Sequence, residues 1–499
     1  MSFYRSPGVY IIEKPVRPTI VNPAGTGYMA IWGKFPWGPT GPVLITSWND
    51  FVSTYGLWGE QLSLLGSSVG SSTRIPALSV YHFFANGGSG VYVYNAISGG
   101  NRATATIELD NSATESYNVL TVTAKYPGTY GNYIKIKVEK GVSDLLFNIS
   151  VIKISGSAQE ILEVHESVVF HDETSNNYIS KVSSVYVDFS FNASTLNTSE
   201  LSSVVSKEAT LSGGSDPNEV TDISAIVNAF ADINEILYFA APQLEGDVSS
   251  LNTLLSNLNN LPYAFLVVSV DTDIDFDGTG YDSLRSDKVA FYYPYVWIAN
   301  PATNSLEKVS PSGGILGVYF RNDFENNVGK TPAGVRAELR GVQFLSISTN
   351  QVQKLPQSMI DRLYPKHFNP IVYKEGFNYV LWGARLSTFD EQWRYINKRR
   401  LFYFLQKSIK DAIAWVNFEN NTPEVRFAVY NQLDNFLRRL TLEGYFASTA
   451  PSEAYYIICD STNNPPEVVN QGLLVVDIGI APAKPAEFVV LRFTERVNV

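Results

Sequence analysis

The stretch with the densest set of chemically active side chains is the acidic loop DTDIDFDGTGYD, residues 271–282. Three aspartates alternate before Gly278, a spacing similar to the start of an EF-hand calcium loop: Asp273, Asp275 and Asp277. An EF-hand needs a bidentate carboxylate at position 12, but Leu284 occupies that position here. A predicted strand, YAFLVVSV, also precedes the loop where an EF-hand has a helix. We therefore interpret the loop as an acidic surface turn.

Other residue types that carry chemistry show no arrangement suited to it. The single cysteine, Cys459, follows the apolar run EAYYIIC and is interpreted as a packed hydrophobic side chain. The glycine-containing stretches PSGGILG and ANGGSG lack the Lys-Ser/Thr of a phosphate loop, so we predict turns there. The histidines are scattered without metal-ligand spacing: His82, His165, His171 and His367. The sequence thus predicts no metal site, no cofactor and no catalytic centre.

Cations and aromatic residues are concentrated in the segment WRYINKRRLFYFLQKSIKDAIAWV, residues 393–416. A helix over residues 397–416 has one apolar stripe, and four cations lie opposite it: Arg399, Arg400, Lys407 and Lys410. The cations are interpreted either as a solvated polar face, a nucleic-acid surface or a contact for an acidic protein partner. The net charge of −11 and the lack of a nucleic-acid-binding motif argue against nucleic acid. Arg399 and Arg400 could instead be buried partners of carboxylates in their own domain.

The elements that position these residues indicate a mixed α/β fold. TGYMAIWGKF predicts a strand, SWNDFVSTYG a short helix capped by Ser47, and IPALSVYHFFANGGSGVYVYNA a helix, a glycine stop and a strand. Residues 101–210 contain alternating β-branched runs such as TATIELD and NYIKIKVEK, typical of a β-rich domain. Residues 211–344 combine a helical stretch with the buried-strand patterns EILYFAAP and YAFLVVSV, which indicates βαβ units.

Composition and charge suggest how these parts are organised. The 499 residues are 45% hydrophobic and 17% charged, which suits a chain of several domains. No apolar run of about 18 residues and no signal-peptide core is present, so we expect synthesis in the cytoplasm and no membrane insertion. Residues 101–344 hold 15 Lys and Arg against 30 Asp and Glu, whereas the remainder holds 22 against 18. This partition predicts one discontinuous domain interrupted by an acidic insertion.

Both ends of the sequence carry an apolar strand beside prolines. The two predicted arms are Gly8, Val9, Tyr10, Ile11, Ile12 and Glu13, and Glu487, Phe488, Val489, Val490, Leu491, Arg492 and Phe493. Neither strand has a local hairpin partner, and an unpaired apolar edge promotes aggregation. Each arm must therefore pair at a distance, either within its own subunit or with another one.

Several separated segments together resemble the tail sheath proteins of contractile phage tails and related contractile injection systems. They occur in family order over nearly the whole chain: SPGVYIIE, GPVLITSWNDFVSTYG, ALSVYHFFANGGSGVYVYNA, YPGTYGNYIKIKV, LSGGSD, PSGGILGVYFRND, VGKTPAG, NYVLWGARLS, QWRYINKRRLFYFLQKSI and CDSTNNPPEVVNQGLLVVDIGIAPAKPAEFVVLRF. Two departures occur: GKTPAG stands where the family often has WKAPA, and residues 141–210 follow no family pattern.

The resemblance implies a structural polymer rather than an enzyme. In this family, six-subunit rings stack helically around an inner tube, and contraction drives the tube through a target envelope. The arms then donate strands to neighbouring subunits, and the basic helix faces the tube. Expected partners are further copies of the chain, the inner tube protein, and baseplate and tail terminator proteins, in a virion tail or injection particle assembled in the bacterial cytoplasm.

The resemblance and the composition together predict five parts. They are an N-terminal arm (1–20), a discontinuous tube-facing α/β sheath domain (21–100 and 345–484), a β-rich inserted domain (101–210), an α/β inserted outer domain (211–344) and a C-terminal arm (485–499). Two alternatives stay open: a non-contractile shell protein, and a metal-dependent α/β enzyme that uses the 271–282 loop. The second alternative lacks a recognisable set of convergent catalytic groups.

Overall fold

The computed structural model describes residue 21 and residues 23–56, 71–109, 118–193 and 198–487. The helices in this part are α1 (Trp48–Tyr55), α2 (Ser71–Ala85), α3 (Thr198–Ser203), α4 (Ile223–Ala229), α5 (Val248–Leu258), α6 (Ser312–Glu325), α7 (Gln357–Leu363), α8 (Ile396–Ala412), α9 (Pro423–Leu442), α10 (Pro451–Ala454) and α11 (Pro466–Asn470). None of them is long and apolar enough to cross a membrane.

The strands in the same part are β1 (Tyr28–Gly33), β2 (Val43–Ile45), β3 (Val91–Asn95), β4 (Ile97–Ser98), β5 (Thr104–Glu108), β6 (Asn118–Ala124), β7 (Ile134–Lys140), β8 (Leu146–Ser155), β9 (Ala158–Val169), β10 (Val187–Ala193), β11 (Ser206–Thr210), β12 (Asn218–Glu219), β13 (Leu237–Ala240), β14 (Ala264–Ser269), β15 (Val289–Tyr293), β16 (Val296–Ala299), β17 (Leu306–Val309), β18 (Val342–Ile347), β19 (Asn350–Val352), β20 (Phe368–Lys374), β21 (Asn378–Leu381), β22 (Tyr455–Ile458) and β23 (Asp477–Ile480). The predicted mixed α/β class is confirmed.

An eight-stranded sheet forms the centre of the molecule, in the order β2-β3-β1-β13-β14-β15-β20-β21. The six inner strands are parallel, and the two edge strands, β2 and β21, run antiparallel to their neighbours. Strands β13, β14 and β15 are buried at every position. Continuous apolar runs are what a parallel sheet covered on both faces requires.

Two hydrophobic cores lie on opposite faces of this sheet. One face packs against α1, α2, α6, α8 and α9, so the long C-terminal helices α8 and α9 lie on this side. The other face packs against α4, α5 and α7. Alternation along β1 illustrates the division, because Met29 and Ile31 belong to the first core and Ala30 and Trp32 to the second.

The strand order corrects one predicted boundary. Residues 211–344 were expected to form a separate α/β domain, but β13, β14 and β15 lie between β1 and β20 in one sheet. Helix α6 likewise belongs to the core that α2 and α8 share. The prediction was wrong because charge distribution and βαβ spacing reveal which elements exist, whereas strand order depends on pairings between distant segments.

The β-rich part consists of two sheets, β10-β6-β5 and β11-β7-β8-β9, around a separate core. The core residues run from Ala103 to Leu211, joined by Trp37 from the segment after β1. The Trp37 ring packs against Tyr126 and Tyr130, at centroid distances of 5.2 and 4.9 Å. The chain enters and leaves this part through the antiparallel pair β4 and β12. This ribbon and Trp37 therefore connect the β-rich part to the central sheet.

The helix predicted at α1 is confirmed, whereas the turn predicted at the start of α6 was wrong. Ser47 caps α1 by accepting the Asp50 N–H at 3.1 Å, and Gly56 ends the helix at φ 73°. PSGGILG, however, begins α6 instead of forming the predicted turn. A Cβ on Gly313 would lie 2.2 Å from the Ser79 carbonyl oxygen in α2. The glycines allow two helix backbones to approach closely, which residue type alone does not distinguish from a turn.

Candidate functional site

Helix α8 places the predicted basic residues in very different surroundings. Arg400 is fully buried and its Nη1 donates to Asp323 Oδ1 at 2.9 Å, while its Nε donates to the Tyr238 hydroxyl at 3.2 Å. The guanidinium lies 4.9 Å from the ring centroids of both Tyr238 and Tyr319. Burial alone would lower the pKa of Arg400, but the charge of Asp323, the Tyr238 hydroxyl and the hydrogen bonds to both together raise that pKa. Arg400 is thus a buried cation in its own subunit.

The remaining three cations do not complete one exposed basic face. Arg399 forms an ion pair with Asp287, and its guanidinium lies 3.8 Å from the Trp393 ring centroid. Lys407 is buried, and its Nζ lies 2.9 Å from the Asp411 carboxylate one turn later. Lys410 is exposed. The predicted cationic face is therefore corrected: Arg400 takes the buried alternative, and Lys410 is the member of the four that is exposed.

The C-terminal end of α8 borders an apolar groove of about 1530 Å³. One wall is formed by α8 and the 3-10 turn Ala414–Val416, and the other by residues near β23. Its apolar lining comprises Phe402, Leu405, Ile409, Ile413, Ala414, Val416, Phe418, Val469, Leu474, Val476, Ile478 and Ile480. Phe418 at the rim is fully exposed and has a left-handed backbone, with φ 70°. Such a surface favours an apolar occupant.

Beside the groove lies a sheet of two strands, β22 and β23. They pair antiparallel, with Tyr455 opposite Ile480 and Ile458 opposite Asp477. Among the described residues neither strand has a second neighbour, so both outer edges are open. Tyr456 and Ile458 on β22 are 60% and 37% exposed. Two-stranded sheets are marginally stable alone, and open edges with apolar side chains accept further strands.

The two predicted strand arms lie outside the described residues, apart from Glu487. The first described residue, Val21, accepts a hydrogen bond from Arg439 of α9, and the Ala24 N–H donates to Ser408 Oγ of α8 at 2.9 Å. Val21 and Ala24 are therefore held against α8 and α9. Residues 8–13 and 488–493 remain predictions.

Glu487 is bound within its own subunit. Arg385 Nε donates to Glu487 Oε1 at 2.8 Å, and the Tyr364 hydroxyl donates to the same oxygen at 2.7 Å. Burial would raise the pKa of Glu487, but the hydrogen bonds from Arg385 and Tyr364 hold it below its ordinary value. Sequence reasoning missed both partners, because neither lies in a charged pattern that marks it.

The acidic loop at 271–282 uses its carboxylates for local turns. Asp273 accepts the N–H of Asp275 at 3.1 Å, and Asp277 accepts the N–H of Thr279 at 3.0 Å. Lys308 Nζ lies 2.7 Å from the Asp271 carboxylate. In the described ranges, no group of three or more His, Cys, Asp or Glu residues is placed to hold a metal ion. This geometry is that of an acidic surface loop.

Comparison with protein families and curated proteins gives matches in sequence. Residues 388–495 match the phage tail sheath C-terminal domain. The tail sheath protein of Vibrio phage KVP40 is 31% identical over 189 residues, covering 36% of this chain and 26% of that protein. The matched region therefore spans about a quarter of that relative's length.

Comparison with solved structures covers nearly the whole chain. The helical sheath of the anti-feeding prophage in its contracted state superposes with a TM-score of 0.60 at 22% identity, covering 99% of this chain and 100% of that one. The sheath tail protein of Listeria innocua superposes with a TM-score of 0.61 at 17% identity, covering 89% and 90%. The predicted resemblance is confirmed: the chain has the fold of solved sheath proteins, and its residues 388–495 match the phage tail sheath C-terminal domain.

Proposed function

We propose that the chain is the structural subunit of a contractile sheath. In this proposal six-subunit rings stack helically around an inner tube, and contraction drives the tube through a target envelope. The observation that carries the proposal is the two-stranded sheet β22–β23 beside an apolar groove, whose outer edges are unpaired within residues 23–56, 71–109, 118–193 and 198–487. The sheath fold supports the proposal. A baseplate and a tail terminator are the partners expected at the two ends of such a polymer, in a virion tail or injection particle.

Strand addition is the proposed link between subunits. An open strand edge presents N–H and C=O groups that an incoming strand satisfies, and its backbone hydrogen bonds do not depend on the orientation of the rest of the donor. Residues 8–13 and 488–493 of neighbouring copies are the proposed donors. Their alternating apolar residues would cover the exposed Tyr456 and Ile458. The subunits therefore stay linked while their domains rotate.

The energy for contraction is proposed to reside in the lattice. Two packings of one subunit that differ by about a few kcal/mol can interconvert cooperatively when many subunits are linked. The acidic 101–344 section would repel its neighbours and favour the packing in which it is spread further apart. This scheme assigns the chain a structural role rather than an enzymatic one.

Helix α8 remains the proposed tube-facing element, with Lys410 as its exposed cation. A single exposed ion pair contributes about 0–1 kcal/mol, so each contact is easily broken on contraction. Repetition along the polymer supplies the total strength. Changing Lys410→Glu should reduce extended sheath formed on a tube at low salt while contracted tubes still form. Unchanged templating would contradict this contact.

Electron microscopy of the purified full chain tests the function. Tubes of two diameters are the expected result. Tubes of one diameter favour the alternative of a static shell protein, and monodisperse monomers contradict both. Deleting residues 1–14 should leave a folded monomer that forms no tubes, because the deletion removes a donated strand without emptying a core. A large loss of melting temperature in that monomer would instead assign the strand to its own subunit.

A further inference from the structure

The segment after β23 is attached to its own subunit at three successive points. Pro482 forms an isolated bridge with Phe446. The Ala483 carbonyl accepts a hydrogen bond from Asn397 Nδ2 of α8 at 3.1 Å. The last described residue, Glu487, binds Arg385 and Tyr364. The segment thus follows the surface of its own subunit as far as Glu487.

The third attachment has the geometry of a strong ion pair. Two guanidinium nitrogens of Arg385 contact the two carboxylate oxygens of Glu487, at 2.8 and 2.5 Å. The Arg385 guanidinium also lies 4.1 Å from the Tyr364 ring centroid. The side chains of Arg385 and Glu487 are 10% and 11% exposed. Bidentate, charge-assisted pairs with little solvent are among the stronger polar contacts in proteins.

Arg385 is in turn fixed to the central sheet. The backbone N–H of Arg385 donates to Asn369 Oδ1 at 2.8 Å, and Asn369 Nδ2 donates to the backbone carbonyl of Arg385 at 2.7 Å. Asn369 lies in β20, is fully buried, and also donates to the Phe291 carbonyl of β15 at 2.9 Å. Because this backbone is held on both sides, the position of Glu487 is set by the sheet rather than by a loop.

We propose that Arg385, Tyr364 and Glu487 form a clasp that fixes the base of the C-terminal arm, so that the strand passed to a neighbouring subunit begins at Phe488. This inference rests on the proposed function. It changes the predicted arm, in which Glu487 was the first strand residue. The three side chains are positioning residues, since they contact the base of the arm rather than the neighbouring subunit.

The clasp limits how far the arm can move. Without it, the nearest attachment among the described residues is Ala483, and residues 484–487 lengthen the proposed arm. Four extended residues add about 13 Å of contour length. A longer tether lowers the effective concentration of the donated strand at its acceptor and widens the range of distances it can bridge. The clasp therefore restricts the range of spacings that linked subunits can adopt.

Digestion of the unassembled full chain with a protease that cuts after glutamate tests the clasp directly. In the unchanged protein, cleavage after Glu487 should be at least tenfold slower than cleavage after Glu419, which is exposed. Arg385→Gln should raise cleavage after Glu487 about tenfold and leave cleavage after Glu419 unchanged. Tyr364→Phe removes one hydroxyl and should raise cleavage after Glu487 by a smaller factor. This second variant keeps the test valid if Arg385→Gln does not fold.

The matched control is Arg438→Gln, which removes an arginine from the exposed pair with Asp434 and should not alter cleavage after Glu487. Equal cleavage after Glu487 and Glu419 in the unchanged protein would overturn the clasp. This experiment needs no polymer, so its failure is distinct from failure of the proposed function. In assembled tubes, Arg385→Gln should broaden the distribution of tube diameters relative to Arg438→Gln. Equal distributions, with cleavage enhanced, would overturn the positioning role.

Discussion

The central sheet and the C-terminal sheet differ in how many of their backbone N–H and C=O groups are paired within the subunit. The central sheet has eight strands, and the inner strands β13, β14 and β15 are buried throughout between two cores. The C-terminal sheet has two strands with exposed apolar side chains, and in the part of the chain that the structure describes no third strand pairs with either edge. The first region needs no partner to be stable, whereas the second leaves backbone groups for another strand. Mutations in the first should therefore reduce stability, and mutations in the second should reduce assembly.

The largest expected effect on stability is at the buried pair of Arg400 and Asp323. Arg400→Met should lower the free energy of unfolding by about 3–5 kcal/mol, because Asp323 would remain buried without its cation. Denaturant unfolding followed by circular dichroism measures the change. Arg438→Gln, at the exposed pair with Asp434, should change the free energy of unfolding far less. Equal losses in the two variants would show that burial does not set the cost.

A second effect in the central region should depend on pH. Glu245 is buried, its carboxylate accepts from the Ser269 N–H and the Tyr295 hydroxyl at 2.9 Å each, and burial raises its pKa to about 7. Glu245 binds its proton more tightly in the folded state than in the unfolded state, so protonated Glu245 adds to the free energy of unfolding. This contribution is fully present below about pH 4 and is lost as pH rises through about 7. The loss is about 3 kcal/mol.

Glu245→Gln should flatten the pH dependence of unfolding between about pH 5 and 8, since the substitution removes the titrating group. Denaturant titrations at several pH values give the slope. A slope identical to that of the unchanged protein would assign the pH dependence to other groups.

The contact between α2 and α6 should give an intermediate effect. Gly313→Ala places a methyl group 2.2 Å from the Ser79 carbonyl oxygen, so the helices must separate, at a cost of about 1–3 kcal/mol. Gly246→Ala is the matched control, because a Cβ there meets nothing within 4 Å. Its effect should stay within about 0.5 kcal/mol. Thermal melting of both variants checks the difference, and equal melting temperatures would refute close packing.

The smallest effect on stability, joined to a large effect on assembly, is expected at β22. Tyr456→Ser should change the free energy of unfolding by less than about 0.5 kcal/mol, because the ring is 60% exposed. Tube formation should fall, because the ring is proposed to be covered by a donated strand. Sedimentation of tubes from monomer gives the yield. A large loss of monomer stability with normal tube yield would show that β22 stabilises its own subunit rather than the assembly.

Local signals in the sequence were sufficient for elements whose ends are set by nearby residues. Ser47 and Gly56 define α1 because the capping contacts lie within four residues. The buried strands β13 and β14 were likewise predicted from their apolar runs. Contacts between distant segments were not predictable. Periodicity placed Arg400 opposite the apolar stripe. Its partner Asp323 is 77 residues away on another helix, so the sequence did not predict that both sides of α8 are buried at this position.

The same distinction explains the assembly surfaces. The residue pattern predicted both arms and the basic helix, since these lie in contiguous motifs, and the resemblance implied their roles in assembly. The clasp joins Tyr364, Arg385 and Glu487, which are separated by up to 123 residues and carry no shared pattern. The position of β15 beside β20 depends on pairing across another long separation. Such contacts form only when the sheet brings the segments together.

The ribbon of β4 and β12 is the place where the chain enters and leaves the β-rich part. Because the chain goes out and returns through adjacent strands, the two ends of that part lie side by side. An unrelated domain with neighbouring termini can therefore be grafted at this ribbon without interrupting the eight-stranded sheet. In a polymer the graft would repeat once per subunit, which makes this ribbon a natural site for multivalent display.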